Sequence, residues 1–418
     1  MFEWRTSAVF GDPSSLICVK ELCVPGVPVR AFKAVKQNYQ PTTEILKLLD
    51  DFRLMVNDCL RIGVETGATS LKALSVKAYR QLSAYNIPSY YKLCAISNAC
   101  GMLKNYRKTR RKNPHAKTPY ARRMTMTTCY GFKINDGKLK LPLGNRRYVE
   151  IALGSHTRQV LSNPSLTVRS VCLTARTVNL SYSKETDEIN PAGFIGIDRN
   201  LDDVTIADTA SHMEHFDLSK ASEVKTKYRA VTSRFERNDI RVRTRILQKY
   251  GFKQREKVRQ ILHHTSKIIV QEAKDQQYAL VMEKLTGMRK LYRRGNAQGP
   301  NYRFRLNSWS FAELQRQIEY KACWEGLPVI YVKPHGTSAK CSICGSRMMR
   351  IPEENRKLKC AGCGFRVDRD ENAARNILAR ALRFGAVGPA IEAMVQERSK
   401  VILKVDAGQL TSKHPPTS

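Results

Sequence analysis

The alternation of apolar and polar positions divides this chain into a mixed first half and a more regular second half. Residues 15–40 read as short extended pieces, Leu16–Val19 and Val27–Phe32, interrupted by Pro25, Gly26 and Pro28. Thr42 or Thr43 then opens a helical pattern that puts Ile45, Leu48, Leu49, Phe52 and Val56 on one face, and further helical stretches follow at 71–82 and 90–106. Strand patterns return at 131–141, 148–153 and 165–182, separated by Asp136-Gly137, Gly144-Asn145 and Asn163-Pro164 turns. A small β-barrel with helices inserted into it accommodates this order.

After Pro191-Ala192-Gly193 the pattern changes. The apolar strand Phe194–Ile197 ends on Asp198, and Val204–Ala207 reads as its hairpin partner. Two helices are expected at 221–248 and 255–274, broken around Tyr250-Gly251, the second with a buried stripe of Val258, Ile261, Leu262, Thr265, Ile268 and Ile269. A second apolar strand, Tyr278–Met282, ends on Glu283. Residues 284–305 read as a basic, glycine-containing loop, 311–324 as a helix and 328–332 as a strand. The polar segment 406–418 carries no such pattern.

Charge narrows the partner. Lys and Arg total 72 against 37 Asp and Glu, a net charge of +35, with 42% hydrophobic residues to build ordinary cores. A polyanion is the usual reason for such an excess, because neutralising phosphates releases condensed counterions. Between Lys104 and Arg123 there are nine basic residues and no acid, with Tyr106 and Tyr120 interleaved, a composition suited to phosphate contact and base stacking. Lys104, Arg107, Lys108, Arg110, Arg111 and Lys112 are the candidates there. Arg289, Lys290, Arg293 and Arg294 are those of the later basic loop. No run of about 18 apolar residues suggests a membrane span, and Met1–Arg5 does not open a secretory signal. The expected compartment is the cytoplasm, or the nucleus in a nucleated host.

Cysteine spacing adds a metal. Cys341 and Cys344 form one pair, Cys360 and Cys363 another, each followed by glycine, with 15 residues between the pairs. This is the spacing of a Cys₄ zinc ribbon. Four thiolates leave no open coordination position, so one structural Zn²⁺ is expected.

The carboxylates supply a second chemistry. Hydrolysing a phosphodiester favours two hard cations about 4 Å apart, held by carboxylates on rigid elements. Asp198 and Glu283 each follow an apolar strand. Asp368 or Asp370 stands at the start of a helix over 371–384, where either also reads as an N-cap. The order strand–Asp, hairpin, helices, strand–Glu, helix, strand, Asp–helix is similar to that of an RNase H-like nuclease core.

With Gly196-Ile197-Asp198, Met282-Glu283-Lys284-Leu285, Thr337 to Gly345 and Asp368 to Asn376 in this order, the chain resembles the TnpB transposon-encoded nucleases and their descendants, the type V CRISPR effectors. The resemblance is specific over about 192–380. It implies a multi-domain α+β protein: a wedge-like β-barrel at 1–40 and 124–190, a helical recognition insertion at 41–123, a RuvC-type RNase H-like nuclease at 191–335 and 365–390, a zinc ribbon at 336–364 and a C-terminal tail at 391–418.

It further implies an RNA-guided DNA endonuclease with a guide RNA and target DNA as partners, two Mg²⁺, and Asp198, Glu283 and Asp370 as metal ligands. Asp370 is preferred to Asp368 because the family's motif places the ligand two residues before the Asn. Two features depart from the family pattern: Asp198 is followed by Arg199-Asn200-Leu201-Asp202-Asp203, and residues 1–24 are unlike the usual N-terminal strand. A guided or unguided nucleic-acid-binding regulator without cleavage, or an RNase H-class transposase, is the alternative.

Overall fold

The computed structural model describes residues 29–236, 238–286, 288 and 298–385. Among them the chain forms two compact units, 30–185 and 186–385. The extended piece Leu16–Val19, the tail at 391–418, and residues 287 and 289–297 of the 284–305 loop, with Arg289, Lys290, Arg293 and Arg294, lie outside the described residues.

The first unit opens with β1 (Val29–Asn38) and then the helices α1 (Thr43–Thr66), α2 (Leu71–Ala78) and α3 (Ser89–Arg110). Thr42 caps α1 by accepting the Ile45 amide. The stripe from Ile45 through Leu60 is buried, with Phe52 and Met55 fully enclosed. Five strands follow around α4 (Ser155–Leu161): β2 (Thr125–Thr128), β3 (Lys133–Asn135), β4 (Lys138–Gly144) and β5 (Arg147–Ala152) before it, and β6 (Thr167–Thr174) after it. β7 (Thr177–Thr186) completes a four-stranded sheet of order β1-β7-β6-β2, beside a three-stranded sheet β3-β4-β5.

The second unit is built on a five-stranded sheet of order β10-β9-β8-β11-β12. Its strands are β8 (Gly193–Arg199), β9 (Asp203–Asp208), β10 (Met213–Asp217), β11 (Tyr278–Glu283) and β12 (Val329–Val332). The β8–β9–β10 run is antiparallel, whereas β11 lies parallel to both β8 and β12. Parallel strands are normally covered on both faces, and these are. Ile195, Ile197, Leu280 and Met282 pack under α6 (Leu247–Asp275) and α8 (Phe311–Glu325), which follow α5 (Ser219–Ser233) and α7 (Pro300–Ser308) in the chain. Val281 and Val332 pack on the opposite side against Ile377 and Ala381 of α9 (Arg369–Gly385).

Gly196 lets α9 lie directly on β8, because a Cβ there would stand 2.5 Å from the Ala374 carbonyl oxygen and 2.7 Å from the Leu378 nitrogen. Between β12 and α9 the chain makes a separate sheet of β13 (Met348–Ile351), β14 (Glu354–Cys360) and β15 (Arg366–Asp368), with a small core of Met348, Leu358 and Val367.

Two expectations need correction. No break occurs at Tyr250-Gly251: a π-helical turn at Val242–Ile246 runs into α6, which continues through the glycine. One glycine costs a helix about 1 kcal/mol relative to alanine, too little to interrupt a helix whose stripe from Val258 to Ala273 is buried. The supposed loop also contains helix α7, which begins with Pro300 at its first position, where the missing N–H costs nothing. Among the described residues no helix is long and apolar enough to cross a membrane.

Candidate active site and cysteine cluster

Successive side chains of a strand point to opposite faces. In β8 this sends Ile195, Ile197 and Arg199 toward α6 and α8, and Phe194, Gly196 and Asp198 toward α9. In β11, Met282 pairs with Ile197, so Glu283 comes beside Asp198 at the end of the parallel pair. The Asp198 side chain is buried, and Asn200 Nδ2 donates to its Oδ2 over 3.1 Å. Burial, and then the neighbouring Glu283 carboxylate, push the Asp198 carboxyl up to about 7. Burial likewise raises Glu283, against the opposing pull of Thr337 and Arg199. The Thr337 hydroxyl lies 2.5 Å from Glu283 Oε1. Arg199 donates to the Glu283 carbonyl oxygen and to Gln315 Oε1, tying the strand end to α8.

Asp370 is buried in the first turn of α9. Its Oδ2 is paired with Arg356, whose Nη2 also lies 2.8 Å from Asp203 Oδ2. Asp368 is the residue that caps the helix, its Oδ1 accepting the Asp370 amide at 2.8 Å. The structure therefore sets Asp198 and Glu283 side by side and carries Asp370 on the helix packed against Asp198's strand. Asp198, Glu283 and Asp370 are not among the groups whose ligand atoms all lie within 4.8 Å of one another. A buried carboxyl raised this far lacks compensating positive charge, and a hard divalent cation is what its oxygens fit. Asn200, Asp203, Thr337 and Arg356 have no site role in the sequence reading, although Thr337 opens the motif before the cysteines, because nothing in their local pattern marks them as site residues. Only contact with Asp198, Glu283 or Asp370 does.

The four cysteines do converge, all four sulfurs lying within 4.8 Å of one another. Cys341 Sγ is 3.8 Å from Cys363 Sγ, and Cys344 Sγ is 3.3 Å from Cys360 Sγ. A tetrahedral ion bound at 2.3 Å sets sulfurs about 3.8 Å apart, so the cluster fits Zn²⁺. Two matching turns build it. Gly345 and Gly364 sit at φ of 76° and 74°, a left-handed conformation that glycine adopts without strain, and their amides donate back to the Cys341 and Cys360 carbonyls. The Gly362 and Cys363 amides point at Cys360 Sγ, at 3.3 and 3.4 Å. The first turn is tied to α9: fully buried Asn372 accepts from the Ser342 amide and donates to the Lys340 carbonyl, while Asn376 donates to the carbonyls of Thr337 and Lys340.

In the first unit, Lys104, Arg107, Lys108, Arg110, Arg111 and Lys112 are exposed along and just beyond the end of α3. Arg107, Arg110 and Arg111 join Tyr106 on one wall of an open cleft of about 440 Å³, and Arg110 stands 6.0 Å from the Tyr106 ring centre.

Residues 311–377 match the Cas12f1-like TNB domain family. Over 269 residues the chain is 29% identical to the TnpB-like protein MJ0751 of Methanocaldococcus jannaschii, an alignment covering 61% of this chain and 95% of that protein. It is 38% identical over 120 residues to the CRISPR-associated endodeoxyribonuclease Cas12f1 of Sulfoacidibacillus thermotolerans, across 28% of this chain and 25% of that one. The chain thus spans nearly all of the first relative and about a quarter of the second. Its fold is similar to the protein in a Cas12f1–sgRNA–target DNA complex solved by cryo-electron microscopy, at TM-score 0.56 and 15% identity, covering 80% of this chain and 83% of that one. The resemblance to TnpB-like proteins and type V effectors read from the motifs is borne out, and so is the multi-domain α+β architecture.

Proposed function

We propose that this TnpB-like chain is an RNA-guided DNA endonuclease whose RuvC-type site is formed by Asp198, Glu283 and Asp370. The observation that carries the reading is the pairing of Asp198 and Glu283 on one face of β8 and β11, with the Asp198 carboxyl held at about 7 by burial and its acidic neighbour. Perturbed carboxylates at strand ends are characteristic of sites that do chemistry. Two divalent cations bound there would activate water for in-line attack and stabilise the leaving oxygen.

The protein's own groups hold that arrangement. Thr337 fixes the Glu283 carboxylate, Asn200 steadies Asp198, and Arg356 neutralises Asp370 and Asp203 when no cation does. Asp370 is preferred to Asp368 because Asp368 is occupied in capping α9. One Zn²⁺ on Cys341, Cys344, Cys360 and Cys363 would clip the ribbon together beside the start of α9.

The basic end of α3, within the helical insertion at 41–123, would hold an RNA backbone, with Tyr106 offering a ring for stacking. The strands at 29–40 and 124–190 would belong to the wedge. Arg289, Lys290, Arg293 and Arg294 would steer single-stranded DNA toward the carboxylates. Sequence would be read by guide pairing and a short DNA motif.

The test is cleavage by the purified protein with its co-purifying RNA, Mg²⁺ and DNA matching that RNA. Asp198→Ala should lower the rate about 10³-fold, on the order of 4 kcal/mol in the barrier, and leave RNA and DNA binding intact. A wild-type complex that binds matched DNA and never cuts it would instead be a guided regulator, and strand-transfer products would indicate a transposase.

A further inference from the structure

At the opposite end of the same sheet lies a second group of ligand-bearing side chains that the nuclease reading does not use. Asp208 ends β9, and a tight turn through Ser211 brings His212 back over it, the His212 amide donating to Asp208 Oδ1 at 2.8 Å. Glu272 reaches the same place from the last turn of α6, with its Oε1 3.2 Å from His212 Nδ1. One ligand atom from each of the three residues lies within 4.8 Å of those of the other two. Asp208 pairs with Ile195, three residues before Asp198 on β8, which puts the group about 10 Å from the proposed active site along the strand.

We infer that Asp208, His212 and Glu272 form a second divalent-cation site, distinct from the nuclease centre, that takes a first-row transition ion such as Zn²⁺ or Mn²⁺.

Three observations support it independently of one another. Asp208 is only 3% exposed, yet its Oδ2 is enclosed with no hydrogen-bond donor. An enclosed carboxylate oxygen without a partner costs several kcal/mol, and a cation is the partner that best removes the cost. Acids outnumber bases there in a chain with net charge +35: Glu214 and Asp275 line the same open cleft of about 610 Å³ as His212 and Glu272, against Lys267. The cleft leaves room for the waters that would complete the coordination shell.

The donor set then selects the ion. One imidazole nitrogen and two carboxylate oxygens suit borderline cations, whereas Mg²⁺ and Ca²⁺ prefer oxygen alone. Ligands about 2.1 Å from a common ion stand about 3–4 Å apart, a spacing the His212–Glu272 pair already has. All three ligand atoms already lie within 4.8 Å of one another, so closing the set requires shifts of about an ångström. Such an ion would staple the β9–β10 hairpin to the end of α6, just before the chain enters β11.

Zinc content is the test, measured on full-length Asp198→Ala protein equilibrated with micromolar Zn²⁺ and then desalted, so that the nuclease centre is impaired and identical in every protein compared. The expected result is one more equivalent of zinc in this protein than in Asp198→Ala/His212→Ala and Asp198→Ala/Glu272→Gln, whatever the ribbon holds. Added Zn²⁺ should also raise the melting temperature of the parent and not of the two double variants. Equal zinc in the parent and both double variants overturns the site. A folded Glu272→Gln double variant that still binds the extra equivalent overturns Glu272 as a ligand even if the His212 variant proves unstable.

Discussion

The thiols at 341–363 and the carboxylates at 198, 283 and 370 are both candidate ligand sets, yet they are gathered by different means. Two short turns with glycines at positive φ bring the sulfurs together within one hairpin-like segment. A five-stranded sheet and the helix laid on Gly196 are needed to bring the carboxylates near one another. The consequence is energetic. A small ribbon with a core of Met348, Leu358, Cys341, Cys360 and Val367 has few apolar contacts of its own, so a metal held by its thiols would be coupled to its folding. The carboxylates instead sit on a unit with a large apolar core of its own, and can remain close without a cation at a cost in buried charge.

The strongest way to break this comparison is to remove a thiol. Cys341→Ser should abolish zinc binding, let the ribbon unfold locally, and lower cleavage about 10²-fold or more, the size of penalty expected when a supporting segment moves by an ångström. Metal analysis and cleavage assays on the same preparation check both parts. A zinc-free Cys341→Ser protein that cuts normally would remove the ribbon from the mechanism.

What the sequence disclosed follows the same division. The cysteine pairs were legible because their spacing is itself the structure, and Gly345 and Gly364 were legible with them. Asp198 and Glu283 could be picked out only because each ends an apolar strand and the elements between them come in a recognisable order. The site roles of Arg356, Asp203 and Thr337 were invisible, since each rests on contacts across the unit. The continuous α6 was hidden by Gly251, whose local cost is outweighed by the buried stripe of the helix. Helix α7 was hidden by the glycine- and arginine-containing stretch before it and by the lack of a buried face, since none of its residues is buried.

A second prediction sharpens the electrostatic half of the contrast. The folded Asp198 carboxyl sits at about 7, above the value near 4 of an unfolded aspartate. Folded protein therefore retains a proton that unfolded chain has released, and the group's contribution to stability falls as pH rises from about 4 to about 7. In cation-free buffer at pH 8, Asp198→Asn should be more stable than wild type, on the order of 2 kcal/mol by chemical denaturation. Mg²⁺ should close the gap by stabilising wild type alone. Equal stability of the two proteins at pH 8 without divalent cations would show that no charge is trapped there.

The smallest expected effect probes the link between the two regions. Asn372 is fully buried, accepting from the Ser342 amide and donating to the Lys340 carbonyl, two residues from Asp370 on the same helix. Asn372→Ala strands the Ser342 N–H, while the Lys340 carbonyl keeps its bond from Asn376. One enclosed donor left unpaired costs about 1–3 kcal/mol, and that cost falls on the docking of the ribbon to α9, not on the thiolates. Zinc content should therefore stay at the wild-type level while cleavage falls about 10-fold, about 1.4 kcal/mol in the barrier. Asn372→Asp, which keeps the acceptor for Ser342 and loses the donor, should fall in between. Loss of zinc in Asn372→Ala would mean that the ribbon cannot hold its metal without the helix. Unchanged cleavage would mean that Asp370 is positioned by the packing at Gly196 alone.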